Sequence, residues 1–168
     1  VKVGNNVVII GAGNAAMDVV IGAYKTGAKN VTAIDIQKPL AFDKEIEHAK
    51  SLGAKILYPC FTESVDEKGV HLKDGTTLKA DTVIISIGDR PIFDFIDEKY
   101  LNERKFPLVN KFHQSEVSKK LFFIGDCTGQ GLFCDAIGKG REVAINIDNL
   151  FDKKELKAIY EKIAEKTH

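Results

Sequence analysis

The chain has 168 residues, with 24 Lys and Arg against 24 Asp and Glu and 44% apolar side chains, the make-up of one ordinary globular domain or two small ones. Its cations are scattered rather than gathered in a stripe, which argues against a nucleic-acid partner, and its apolar runs end after about five or six residues, too short to span a membrane. Three cysteines without a C-x-x-C spacing argue against a disulfide framework, a dithiol pair, a structural zinc and an iron–sulfur cluster; no secretory pattern opens the chain, so a cytoplasmic setting is expected.

Val1 to Asn6 reads as a lead-in turn. Val7-Val8-Ile9-Ile10 is apolar and β-branched throughout, the pattern of a strand buried on both faces. Gly11-Ala12-Gly13-Asn14-Ala15-Ala16 follows, then a helix predicted over Met17–Tyr24 that Gly27 ends, then a strand from Val31 that closes on Asp35. Strand, glycine turn, helix, strand and acid within about thirty residues form a dinucleotide-binding unit. Gly11 permits the tight turn. Gly13 and the short Asn14-Ala15 stretch let a pyrophosphate approach the backbone at a helix N-terminus, and Ala16 lets the helix pack closely on the strand. A turn that needs glycine only for its shape is the plainer alternative.

Asp35 stands where an acid accepts from the adenosine ribose hydroxyls and repels a 2′-phosphate. Ile36-Gln37-Lys38-Pro39 supplies no arginine, so NAD(H) is favoured over NADP(H), with Lys38 left as a weak phosphate partner. A short helix is predicted over Lys44–Leu52 with Asp43 as its N-cap, then a third strand over Ala54–Tyr58. Glu63–Glu67, Val70–Lys73 and Thr77–Lys79, separated by Lys68-Gly69 and Asp74-Gly75, read as an antiparallel meander covering one face of the parallel sheet. His71 in its middle strand is expected to face solvent, since no metal-spaced partner accompanies it.

Asp81–Gly88 is a further buried strand, and Asp89-Arg90-Pro91 a turn that closes a first domain of residues 1–91. Ile92 to Val117 lacks a clean period and reads as a loop-rich connector with a short helix. Leu121–Ile124 is expected as a buried strand ending at Gly125-Asp126, followed by a Gly-rich loop. A helix over Cys134–Leu150 should turn Ala136, Ile137, Val143, Ala144, Ile147 and Leu150 toward a core. Residues 92–150 form the second part, and residues 151–168 a tail read as an amphipathic helix from Lys153, capped by Asp152. Cys127 and Cys134 are more simply small packed residues than catalytic thiols, and no acid–base, nucleophile or metal constellation names a catalytic side chain.

The stretches Val8-Ile9-Ile10-Gly11-Ala12-Gly13-Asn14-Ala15-Ala16-Met17-Asp18, Val83–Pro91, Leu121–Asp126 and Ala136–Glu142 together resemble the two-dinucleotide-domain FAD/NAD(P)-dependent pyridine nucleotide oxidoreductases. The resemblance is to the glutamate synthase small-subunit branch, with thioredoxin reductase-like proteins as cousins. It implies an α/β fold: a Rossmann-like three-layer parallel sheet with an antiparallel meander, plus the C-terminal part of a split FAD-binding domain. It also implies hydride transfer from NAD(P)H to FAD and on to an unknown acceptor. By similarity Gly88 lines the nucleotide site, Gly125 and Asp126 meet the FAD ribityl chain, and the helix N-terminus near Ala136 faces the flavin. This chain carries no second glycine fingerprint and no cysteine-rich segment, so the N-terminal half of the FAD domain is expected from a longer polypeptide or a partner subunit. A homodimer and a non-enzymatic nucleotide-binding or assembly module are the remaining alternatives.

Overall fold

The computed structural model describes residues 2–129 and 131–159. It divides into two compact units, Val1–Asp89 and Arg90–His168, parted inside the Asp89-Arg90-Pro91 turn.

The first unit is built on β1 (Asn6–Ile10), α1 (Asn14–Lys25), β2 (Asn30–Ile34), α2 (Asp43–Ser51) and β3 (Lys55–Leu57). An antiparallel trio follows, β4 (Thr62–Asp66), β5 (Gly69–Leu72) and β6 (Thr77–Lys79), before β7 (Thr82–Ile85) returns to the first sheet. The parallel sheet runs β3-β2-β1-β7, with Val8 opposite Thr32 on one side and Val83 on the other. A central parallel strand has no wet face, which is why Val7, Val8 and Ile9 are all apolar and at most 2% exposed.

Period-two alternation divides the two cores. Val7, Ile9, Val31 and Ala33 face Ala16, Met17, Val20 and Ala23 of α1 and Ala49 of α2. Val8 and Ile34 face the opposite way, against Val70 and Leu72 of β5, so the meander forms the third layer of the unit. Complete burial of side chains such as Met17 and Val20 stabilises by about 1.5–3 kcal/mol each. The helix α1 starts at Asn14, three residues before the predicted Met17, because Gly13 already adopts an extended N-cap conformation with φ −80° and ψ −179°. In α2 the N-cap is Phe42; Asp43 is the first helical residue and offers its charge to the first turn rather than a cap.

The second unit is held by turns. Among the described residues it has isolated antiparallel bridges pairing Leu101 with Pro107, Val109 with Ser115 and Gln114 with Phe122, a 3₁₀ turn at Glu98–Tyr100, another at Gly125–Thr128, and the helix α3 (Phe133–Phe151). Leu121–Ile124 is therefore not a sheet strand: a single bridge at Phe122 is its pairing, and Ile124 is exposed. Its neighbour is the 113–115 segment, which runs antiparallel to it and bridges it at one position, with the Ser115 amide donating to Leu121 and the Phe123 amide to His113, too short a pairing to make a sheet strand. The predicted apolar face of α3 is also only partly covered. Val143 is buried, but Ile137 is 59% exposed and Ile147 and Leu150 are both 38% exposed. Asp152 caps the C-terminus of α3 instead of opening a new helix, and residues 153–159 are not helical; the rest of the predicted tail helix lies outside the described residues.

Candidate functional site

In the first unit the candidate residues gather at the C-terminal ends of β1, β2 and β7. Gly11 leaves β1 with φ +115°, and its amide donates to the carbonyl of Ile34 at 2.7 Å. A Cβ there would stand 2.1 Å from the Ser86 carbonyl oxygen, so glycine is required both by dihedral and by the approach of the chain after β7. Nothing in the sequence around Gly11 points to Ser86; only the pairing of β1 with β7 brings it there. Gly13 is different. A Cβ on it would meet nothing within 4 Å, so its lack of a side chain leaves open space rather than relieving a clash.

That space lies over the start of α1. The helix has no side-chain cap and no acid in its first turn. The first amide with a helical acceptor is that of Met17, which donates to Gly13 at 3.1 Å; those of Asn14, Ala15 and Ala16 find no acceptor among the described residues. Unpaired N–H groups and the positive dipole end converge on one open place, the arrangement that takes a phosphate.

Asp35 closes the turn from the side. Its Oδ2 accepts from the Ala12 amide at 2.8 Å and its Oδ1 from the Gln37 amide at 3.2 Å. A carboxylate has about four lone-pair positions, so capacity remains for hydroxyl donors. Asn14 holds the far wall: its Oδ1 accepts from the Phe42 amide at 2.9 Å and ties the segment after β2 to the helix start. Ala15 is exposed beside it, and Gly88, with φ +85°, is exposed beyond β7.

An open concavity of about 570 Å³ lies at the other end of the sheet, lined by Asn6, Lys68, His71, Thr77, Lys79 and Asp81 among others. His71 is half-buried there rather than solvent-facing. Its Nδ1 is 3.0 Å from Thr77 Oγ1 and its Nε2 is 2.9 Å from Asp66 Oδ1, so it ties β4, β5 and β6 together. The His71 ring and then the Lys68 amide, which donates to Asp66 Oδ1 at 2.8 Å, hold the Asp66 carboxyl below the usual range. Among the described residues no group of three or more His, Cys, Asp and Glu is placed to hold a metal.

In the second unit Gly125 has φ +76°, and a Cβ on it would lie 3.9 Å from that of Ala136, so these two candidates adjoin. The Asp126 carboxylate is exposed in the 3₁₀ turn. The start of α3 is already charged. Asp135, 2% exposed, accepts from the Leu132 amide at 2.7 Å, so the dipole end near Ala136 carries its own carboxylate. The sequence reading gives Asp135 no capping role, although an acid at the third helical position is a capping signal. Burial pushes the Cys127 thiol up, and its Sγ contacts the Ile124 carbonyl at 2.9 Å; burial and then Asp74 push Cys60 up as well. Both therefore favour the unreactive thiol.

The sequence profile of the family described as pyridine nucleotide-disulphide oxidoreductase matches residues 1–147. Trimethylamine monooxygenase of Pelagibacter sp. (strain HTCC7211) is 34% identical over 126 residues, which make up 73% of this chain and 27% of that enzyme. Thioredoxin reductase of T. acidophilum matches with a TM-score of 0.69 and 26% identity, over 86% of this chain and 52% of its own. The Lactococcus lactis thioredoxin reductase gives a TM-score of 0.74 over 90% of this chain and 55% of its own, at 16% identity, a likeness of fold alone. The chain thus spans about a quarter of that monooxygenase and about half of these reductases.

Proposed function

The chain belongs to the pyridine nucleotide-disulphide oxidoreductase family, and from that premise we propose that its first unit is the nicotinamide-dinucleotide dock of a cytoplasmic flavin-dependent reductase. The observation that carries this is the start of α1: amides of Asn14, Ala15 and Ala16 without acceptors, facing the space that Gly13 leaves open. These groups hold the diphosphate. Asp35 receives the ribose hydroxyls on the lone pairs that Ala12 and Gln37 leave free, and its charge, with no arginine in the Ile36-Gln37-Lys38-Pro39 stretch that follows, favours NAD(H) over NADP(H). Gly88, exposed beyond β7 with φ +85°, is the residue that the family resemblance adds to this nucleotide site.

The second unit fits a flavin at two places. Asp126 offers an exposed carboxylate to a ribityl hydroxyl, and Gly125 leaves the backbone beside Ala136 uncovered. A bound nicotinamide and flavin supply the hydride donor and acceptor. The chain's own residues supply position, charge balance and exclusion of the 2′-phosphate. The remaining FAD contacts come from polypeptide outside this chain, in keeping with the half-length match to the reductases.

Calorimetric titration tests the docking step directly. NADH should bind in the micromolar to millimolar range and more tightly than NADPH. Absence of heat with both nucleotides removes the proposal. An absorbance scan separates the two cofactors: nucleotide binding by a colourless protein assigns the flavin cradle to other polypeptide, and flavin bands assign it here.

A further inference from the structure

The helix α3 turns charged and amide side chains inward. Glu142 is 3% and Asn146 0% exposed, and they lie one turn apart on the same face. Both are occupied by main chain. Asn146 Oδ1 accepts from the Lys157 amide at 2.7 Å while its Nδ2 donates to the Lys157 carbonyl at 2.9 Å. Glu142 Oε2 accepts from the Ile159 amide at 2.7 Å. One residue exchanging both of its bonds, then the next amide two residues on, is the pattern an edge strand offers to an antiparallel partner. Here two helix side chains reproduce it.

The spacing fits that description. Four helical residues advance about 6 Å, and two extended residues advance about 6.6 Å. The segment returns along α3 after a turn in which Lys153 has φ +57° and the Lys154 amide donates to Asn149. The side chains of Lys157, Ala158 and Ile159 are exposed, so three hydrogen bonds to backbone hold the segment.

We infer that the Glu142–Asn146 face of α3 is a main-chain-reading seat, and that residues 154–159 are a reversible strap on it. The seat takes an extended peptide and recognises its N–H and C=O groups rather than its sequence, the strand-addition mode with a helix face in place of the sheet edge. Its occupant is the chain's own C-terminal segment. This goes beyond the nucleotide reading and does not depend on it.

Amide hydrogen exchange on the full chain, followed by NMR, tests the inference without ligand. In the wild type the Lys157 and Ile159 amides should exchange more slowly than that of Ala158, which has no acceptor among the described residues. Asn146→Ala should speed exchange at Lys157 by about tenfold or more. Glu142→Ala should do so at Ile159, and Glu142→Gln, which keeps an acceptor oxygen, should retain most of the protection. The Val8 and Ile9 amides report in the same spectra that the first unit stays folded. Uniformly fast exchange over residues 157–159 in the wild type overturns the seat, and so does protection at Lys157 that survives Asn146→Ala. Protection that fades on dilution overturns the intramolecular strap and makes the occupant a second copy.

Discussion

The amide of Ala12 donates to Oδ2 of Asp35 at 2.8 Å, so the acid at the end of β2 braces the glycine turn at the end of β1. The same carboxylate is the group expected to choose between nicotinamide cofactors. Stability of the empty turn and selectivity of the filled site are therefore joined at one side chain.

Replacing it separates the two roles. Asp35→Ala should cost about 1.5–3 kcal/mol in urea unfolding of the first unit, the scale of losing a hydrogen bond to a charged group. Asp35→Asn keeps an acceptor for Ala12 and should cost less than half of that while relaxing discrimination against NADPH. Asp35→Ser combined with Ile36→Arg should reverse the preference toward NADPH in calorimetry. A wild type that already prefers NADPH contradicts the role assigned to Asp35.

The two glycines of the turn predict opposite phenotypes. Gly11→Ala places a Cβ 2.1 Å from the Ser86 carbonyl at φ +115°, and should lose roughly 2–4 kcal/mol or fail to fold. Gly13→Ala meets nothing within 4 Å and should unfold within about 0.5 kcal/mol of wild type. Its methyl group occupies the proposed phosphate space, so NADH affinity should fall by about tenfold or more. Equal nucleotide affinity in wild type and Gly13→Ala would place the diphosphate elsewhere.

His113 predicts the acid response of the second unit. Burial holds its pKa below the ordinary value of 6.5; Glu142, 3.9 Å away, pulls it back up, and Lys139 lowers it further. A base with a depressed folded pKa takes up its proton first in the unfolded chain. Its contribution is therefore intact above about pH 6.5 and is lost as pH falls from there toward the lower folded value. Urea midpoints measured between about pH 7.5 and 5.5 should fall, and His113→Gln should flatten that slope. An unchanged slope assigns the acid sensitivity to another group.

The outer face of α3 predicts association. Phe133 and Phe151 are 82% and 81% exposed, with Ile137 between them at 59%. Light scattering on the chain by itself should show mass rising with concentration. Phe133→Gln with Phe151→Gln should restore a monomer with little change in unfolding midpoint, since neither ring is buried. A wild type that stays monomeric at high concentration removes the expectation.

The start of the chain was legible because its signals are local. A β-branched run, a glycine turn and an amphipathic period identified β1, α1 and β2, with α1 starting three residues early. The turn pairs Lys68-Gly69 and Asp74-Gly75 marked the meander for the same reason. The second unit was less legible. Leu121–Ile124 has strand composition but pairs at only one bridge, Phe122 with Gln114, and α3 has an amphipathic period without an indication of which face is covered. His71 lay in an alternating strand, yet Asp66 and Thr77 on the adjacent strands half-bury it.

Residue order by itself determined the β1–α1–β2 unit, since β-branching, a side-chain-free turn and a 3.6-residue period act over a few neighbouring positions. Tertiary structure alone decided that Ser86 forbids a side chain at Gly11, that Asp35 braces Ala12, and that α3 turns Glu142 and Asn146 inward to hold residues 157–159. Each of those depends on an atom brought close by a distant part of the chain, and local periodicity carries no record of the partner across the gap.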